Sequence, residues 1–219
     1  IDVIGNPAGT GTNYSMIGHG GLNSGTTGET VAGEITVETP GDIVLTGSVG
    51  GSGNSATQIG HAGYNSDYDV IDQNIIVTST GGVVTVIGSG AQNQTMIGHG
   101  GENSTGSFSG NIDVTADGDI ALSGGSNGDS TAQIGHGGAN TASGVTYGGD
   151  IHVHSVNGAV RLAGGSNTDA SAQIGHGGPQ ETTVTATITG DICVVAGTDI
   201  LLDSAPGGGA QTYTQIGHG

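Results

Sequence analysis

Six histidines occupy one place in six copies of a short motif. His19 and His99 lie in "MIGHG", His61 in "QIGHA", and His136, His176 and His218 in "QIGHG". Subtracting successive residue numbers gives intervals of 42, 38, 37, 40 and 42. A neutral imidazole offers one donor and one acceptor, and it is also a common ligand of transition metals. The series therefore supports two chemistries. Either each ring pairs with backbone groups at a turn that cannot satisfy itself, or rings brought together by folding share Zn2+, Ni2+ or Cu2+. The spacing is no metal signature in itself, so the second chemistry depends on a fold that makes distant histidines neighbours.

Other candidate ligands are sparser. His152 and His154, in "IHVH", fall on the same side of an alternating segment and form a secondary possible metal pair, although a solvated strand face explains them more simply. "GGSGN" (50–54) and "GGSNGD" (124–129) have the composition of glycine–aspartate calcium turns, but the tandem period of about nine residues that defines such turns is missing. Asp42, Asp119 and Asp199, and likewise Asp150 and Asp191, precede apolar segments and read as turn formers. No resident cofactor is expected, and calcium is less favoured than Zn, Ni or Cu.

What positions the histidines is legible from the apolar pattern. Each period carries three short segments that alternate with period two. The first holds Ile35/Val37, Ile75/Val77, Ile112/Val114, Ile151/Val153 and Ile192/Val194. The second holds Ile43/Leu45, Ile120/Leu122, Val160/Leu162 and Ile200/Leu202, with Val84/Val86 fitting if one residue bulges. The third holds Ile17, Ile59, Ile97, Ile134, Ile174 and Ile216, each two residues before a histidine and two after a small residue. Continued alternation points each histidine inward too. Turn signals such as "ETPGD", "ADGD" and "VNGA" separate the first two segments, and long polar loops follow the first five histidines. No helical period appears.

A coil with so few inward side chains cannot stabilise itself and must stack on its neighbours. The expected fold is all-β, a parallel and right-handed β-helix or β-solenoid with three strands per coil of about 40 residues and five to six coils. It forms one segment, with repeats at approximately 1–19 (partial), 20–61, 62–99, 100–136, 137–176 and 177–218. Because the chain opens in mid-repeat at "IDVIGN", it reads as a window on a longer array, or as a unit whose copies join end to end.

Composition narrows the function. Among 219 residues there are 48 glycines, no tryptophan, and one cation, Arg161, against 19 carboxylates, for a formal charge of −18. Nucleic acid and anionic membranes would repel such a chain. No apolar run approaches the roughly 20 residues of a membrane span. Carbohydrate-cleaving chemistry generally draws on carboxylate clusters, a charge-stabilising cation and aromatic platforms. With Arg161 alone, and only Phe108 and five tyrosines as aromatics, no enzyme is expected. The mixed outward column Thr36, Ile76, Asp113, His152 and Cys193 disfavours ice binding. It also places the single cysteine on an outer face, where a packed, inert thiol is the simplest expectation.

The phrasing "GNIDVTADGDIALSGG" (110–125) resembles the repeat regions of filamentous haemagglutinin-like and autotransporter-type bacterial surface proteins, and "AQIGHGG" is similar to a motif of giant adhesins of that kind. The resemblance covers the whole chain, with longer loops than are common there. It implies a structural or adhesive rod of a large bacterial protein, extracellular or on the cell surface, in a stalk, fibre or sheath. Implied partners are further repeats or copies of the same protein, a surface polysaccharide, or a host or neighbouring cell surface. The alternative function is a metal-binding β-solenoid built on the histidine series.

Overall fold

The computed structural model describes residues 1–6, 13–49, 55–139, 144–178, 186–204, 210 and 212–219. Among them all regular structure is strand, gathered into four parallel sheets in which every strand pairs with its equivalents one coil away. The first sheet contains Ile35–Thr39, Ile75–Ser79, Ile112–Ala116, Ile151–Ser155 and Ile192–Ala196. The second contains Asp2–Ile4, Ile43–Thr46, Val84–Ile87, Ile120–Ser123, Val160–Ala163 and Ile200–Asp203. The third, which leads into the histidines, contains Tyr14–Ile17, Ser55–Ile59, Asn93–Ile97, Ser130–Ile134, Ala172–Ile174 and Thr214–Ile216. This is the stacked solenoid expected of the repeats.

Register is fixed by the alternating β-branched residues, because a one-residue slip would turn the whole apolar set outward. Ile35, Ile75, Ile112, Ile151 and Ile192 form one column, and Ile17, Ile59, Ile97, Ile134, Ile174 and Ile216 form another. Val84 and Val86 align with Ile43 and Leu45 without a bulge. The columns meet in one core running the length of the coils, in which Ile43, Leu45, Ile59, Ile97, Ile120 and Ile134 are fully buried.

The count of three strands per coil is corrected by the outer sheet, a fourth set formed by Thr30–Val31, Asp67–Ile71, Thr105–Phe108, Thr146–Tyr147 and Thr187–Ile188. These strands lie within the polar loops after the histidines. They bury a second, smaller core of Ala62, Tyr68, Ile71, Phe108, Val145 and Tyr147, in which the Phe108 and Tyr147 rings stack with centroids 6.2 Å apart. The loops escaped recognition because their strands are short, the buried residue changes from aliphatic to aromatic between coils, and a register shift interrupts one pairing between Thr105 and Ser107.

The opposite corner, between the first and second sheets, is held by carboxylates and hydroxyls acting across coils. Asp42 Oδ1 accepts from Val83 N at 3.0 Å, and Asp119 Oδ1 accepts from Ala159 N at 2.7 Å. Ser79 and Ser155 donate to the carbonyls of Gly41 and Gly118 at 2.8 and 2.7 Å. Asp150 Oδ1 does the same work before the first sheet, accepting from Asp191 N at 2.9 Å. These aspartates are turn formers that also join one coil to the next.

Candidate functional site: an imidazole ladder

Two glycine positions shape the chain around each histidine. At the glycine before it, a Cβ on Gly18, Gly60, Gly98, Gly135 or Gly175 would overlap the carbonyl oxygen of the equivalent glycine one coil on. Close coil stacking therefore excludes any side chain there. The residue after the histidine turns the chain through positive φ, at +101° for Gly20, +86° for Gly100, +93° for Gly137 and +82° for Gly177. Ala62 takes the same region at +63°, where a Cβ is disfavoured.

Held this way, the six rings stack. Centroids of successive rings are 4.8 to 5.2 Å apart and their planes are inclined by only 2° to 8°. His61, His99, His136 and His176 are buried, His19 is exposed and His218 half-buried at the ends. From His61 onward, each ring joins three segments of chain. The backbone N–H groups of His19, His61, His99 and His136 donate to Nδ1 of the following histidine at 3.0 Å, and that of His176 donates to His218 Nδ1 at 3.3 Å. Nε2 of His61, His99, His136, His176 and His218 lies 2.7, 2.6, 2.9, 2.9 and 3.2 Å from the carbonyls of Gly33, Gln73, Gly110, Gly149 and Gly190. A ring whose Nδ1 accepts an N–H must carry its proton on Nε2, so these rings are neutral Nε2–H tautomers.

The accepting carbonyls lie just ahead of the first-sheet strands. The ladder thus closes each coil at the seam where the chain leaves for the outer sheet and returns. Instead of extending the core by simple alternation, the rings serve as hydrogen-bonding staples between the third sheet and the first.

Electrostatics agree with neutral rings. Burial disfavours the imidazolium and lowers His99 and His176 to about 4, lowers His136 well below its ordinary value, and lowers His61 as well. Neighbouring rings add to this, most clearly at His136, which lies between His99 and His176. The backbone carbonyls, together with Asp72 near His99 and Asp150 near His176, pull the other way without prevailing.

A second row supports the ladder from the outer face of the third sheet. Gln58 Nε2 donates to the carbonyls of Gly98 and Gly100 at 2.8 and 2.9 Å, Gln133 Nε2 reaches Gly175 at 3.0 Å and Gly177, and Gln173 Nε2 reaches Gly217 at 3.2 Å. These amides hold the backbone on both sides of the histidines. Where methionine replaces glutamine, a residue two positions earlier takes over. Gln94, near Met96, donates to Gly137 O at 3.3 Å and accepts from Glu102 N at 2.9 Å. Tyr14, near Met16, donates to Ala62 O at 3.1 Å. The sequence signal was the paired change itself, "QTMIGHG" and "YSMIGHG" beside "TAQIGHG".

From His61 to His218 both ring nitrogens face backbone partners, so a metal would have to displace a hydrogen bond for every nitrogen it took. Among the described residues no three His, Cys, Asp or Glu side chains converge to hold an ion. His152 and His154 are exposed on the first sheet, where His152 Nδ1 meets Asp113 Oδ1 at 2.9 Å. Cys193 is exposed beside His152 in register, which corrects the expectation of a packed thiol. "GGSGN" at 50–54 lies outside the described residues. Arg161, the single cation, pairs with Asp119 at 3.2 Å on the surface.

No family model, curated protein or solved structure matches the chain.

Proposed function

We propose that this chain is a structural rod module of a large bacterial protein displayed outside the cell. The observation that carries this reading is the stacking itself: each strand pairs in parallel with its equivalents one coil away, and one apolar core runs the length of the coils, so a single unit repeats along one axis. The resemblance of "GNIDVTADGDIALSGG" to surface-protein repeats supports the extracellular setting and an adhesive role toward a polysaccharide or a neighbouring cell. The module is read as non-catalytic, on the scarcity of cations and aromatic platforms. No observation favours the metal-binding alternative.

The test is the form and stiffness of the 219-residue chain. Small-angle scattering and electron microscopy are expected to show a stiff rod that lengthens by about 4.8 Å per coil, and inserting one further repeat between existing coils is expected to lengthen it by one such step. A flexible chain, or a particle whose length does not grow with the added repeat, would overturn the reading.

A further inference from the structure

The rings line a seam at which each coil is interrupted. On one side the third sheet ends. On the other the first sheet begins, and between the two departures of the chain lies the outer lobe with its own small core. The base of that lobe is closed by the Nε2–carbonyl bonds, which join the end of the third sheet to the start of the first, while the N–H to Nδ1 bonds and the glutamine amides join successive coils at the same place. Of these ties only the imidazole ones depend on a titratable group. Adding a proton to Nδ1 would set a donor against the N–H that it now accepts, and it would place positive charges on rings whose centres are 4.8 to 5.2 Å apart.

We propose that the imidazole ladder is an acid-operated clasp, which holds the outer lobe against the solenoid at neutral pH and releases it, with the main core still folded, when the medium is acidified. The inference stands on the ladder geometry and holds whether or not coils assemble end to end.

The sign follows from proton uptake. The folded rings stay neutral down to about 4 for His99 and His176, whereas a released imidazole titrates near about 6.5. The open state therefore binds more protons than the closed one. Closure is fully supported above about pH 6.5 and is lost as pH falls from there toward the folded values. Each ring whose folded value is lowered raises the opening constant up to about tenfold per pH unit within that window.

Other charges around the seam are few. The segments facing the rings carry Glu34, Asp72, Asp150 and Asp191, of which Asp72 and Asp150 favour the charged ring, on His99 and His176, without reversing the shift. The outer lobe adds Tyr68 and Tyr147 in its core, and Glu29, Asp67, Asp69 and Glu102 at exposed or half-exposed positions. The third sheet contributes uncharged glutamines and Tyr14, whose hydroxyl burial raises far above the window. Ordinary carboxylates titrate near about 4, so the upper part of the window belongs to the imidazoles.

Hydrogen–deuterium exchange on the whole chain tests the clasp. Between about pH 7.5 and about pH 5.5, after correction for intrinsic rates, the amides of His61, His99 and His136 and those of Phe108 and Tyr147 are expected to lose at least about tenfold in protection. Amides of Leu122 and Leu162 in the second sheet are expected to keep theirs. Unchanged protection at the ladder would overturn the proposal. So would equal loss in the second sheet, which would mean global acid unfolding with no separate release. Nitrogen chemical shifts of the rings provide a second readout: charged rings appearing while the His99 amide remains protected would also overturn it.

Discussion

The rung at His136 and the rung at His218 have the same chemistry in two settings. His136 is fully buried, accepts from His99 N at 3.0 Å and lies 2.9 Å from Gly110 O. His218, with a ring on one side only, has the corresponding distances at 3.3 and 3.2 Å and is partly open to solvent. The preceding glycines differ in the same sense. A Cβ on Gly135 would overlap Gly175 O, whereas on Gly217 the nearest atom is Gln215 Nε2 at 3.2 Å. The motif is therefore demanding only where a coil follows it. Its constraints belong to the stack rather than to the single turn.

Substitutions at the two rungs can break that comparison. The largest effect is expected for Gly135→Ala, whose Cβ has backbone in its way. A loss of about 4 kcal/mol or more in urea-unfolding stability is expected, against about 1 kcal/mol for Gly217→Ala. Equal losses would show that the conformation of the turn, and not the close approach of coils, sets the requirement for glycine. Next is His136→Ala, which strands the His99 N–H and the Gly110 carbonyl away from water. At about 1–3 kcal/mol for each stranded group, it is expected to cost about 4 kcal/mol, and His218→Ala about 1 kcal/mol. Comparable values for the two would mean that water reaches the central seam.

The smallest expected effect sharpens the comparison within the interior. Ala62 sits in the left-handed region with its methyl buried in the second core. Ala62→Gly relieves about 1 kcal/mol of backbone strain and removes about 0.8 kcal/mol of methyl burial, so stability is expected to stay within about 0.5 kcal/mol of wild type. A clear gain in thermal melts would show that strain outweighs packing at this turn.

Much of the scaffold was legible in the sequence for a physical reason. Columns such as Ile112–Ile151–Ile192 require the same β-branched shape in every coil, so identity recurs at each period. The outer sheet asks only for something apolar, met in turn by Val31, Ile71, Phe108, Tyr147 and Ile188, and so it leaves no constant letter to find. The histidines announced themselves, and a backbone-bonded ladder was one of the two chemistries they supported. Their acceptors did not, because carbonyls of Gly33, Gln73, Gly110, Gly149 and Gly190 serve alike whatever side chain they bear. The glutamine row stood in plain view inside the motif, and its function became visible only once consecutive coils lay side by side.

The ladder also has a direction. At every step the peptide of one coil gives its hydrogen to the ring of the next, never the reverse. The dipoles of these bonds therefore add head to tail along the seam instead of cancelling, as peptide dipoles add along a helix, so the column of rings is polarised along its length.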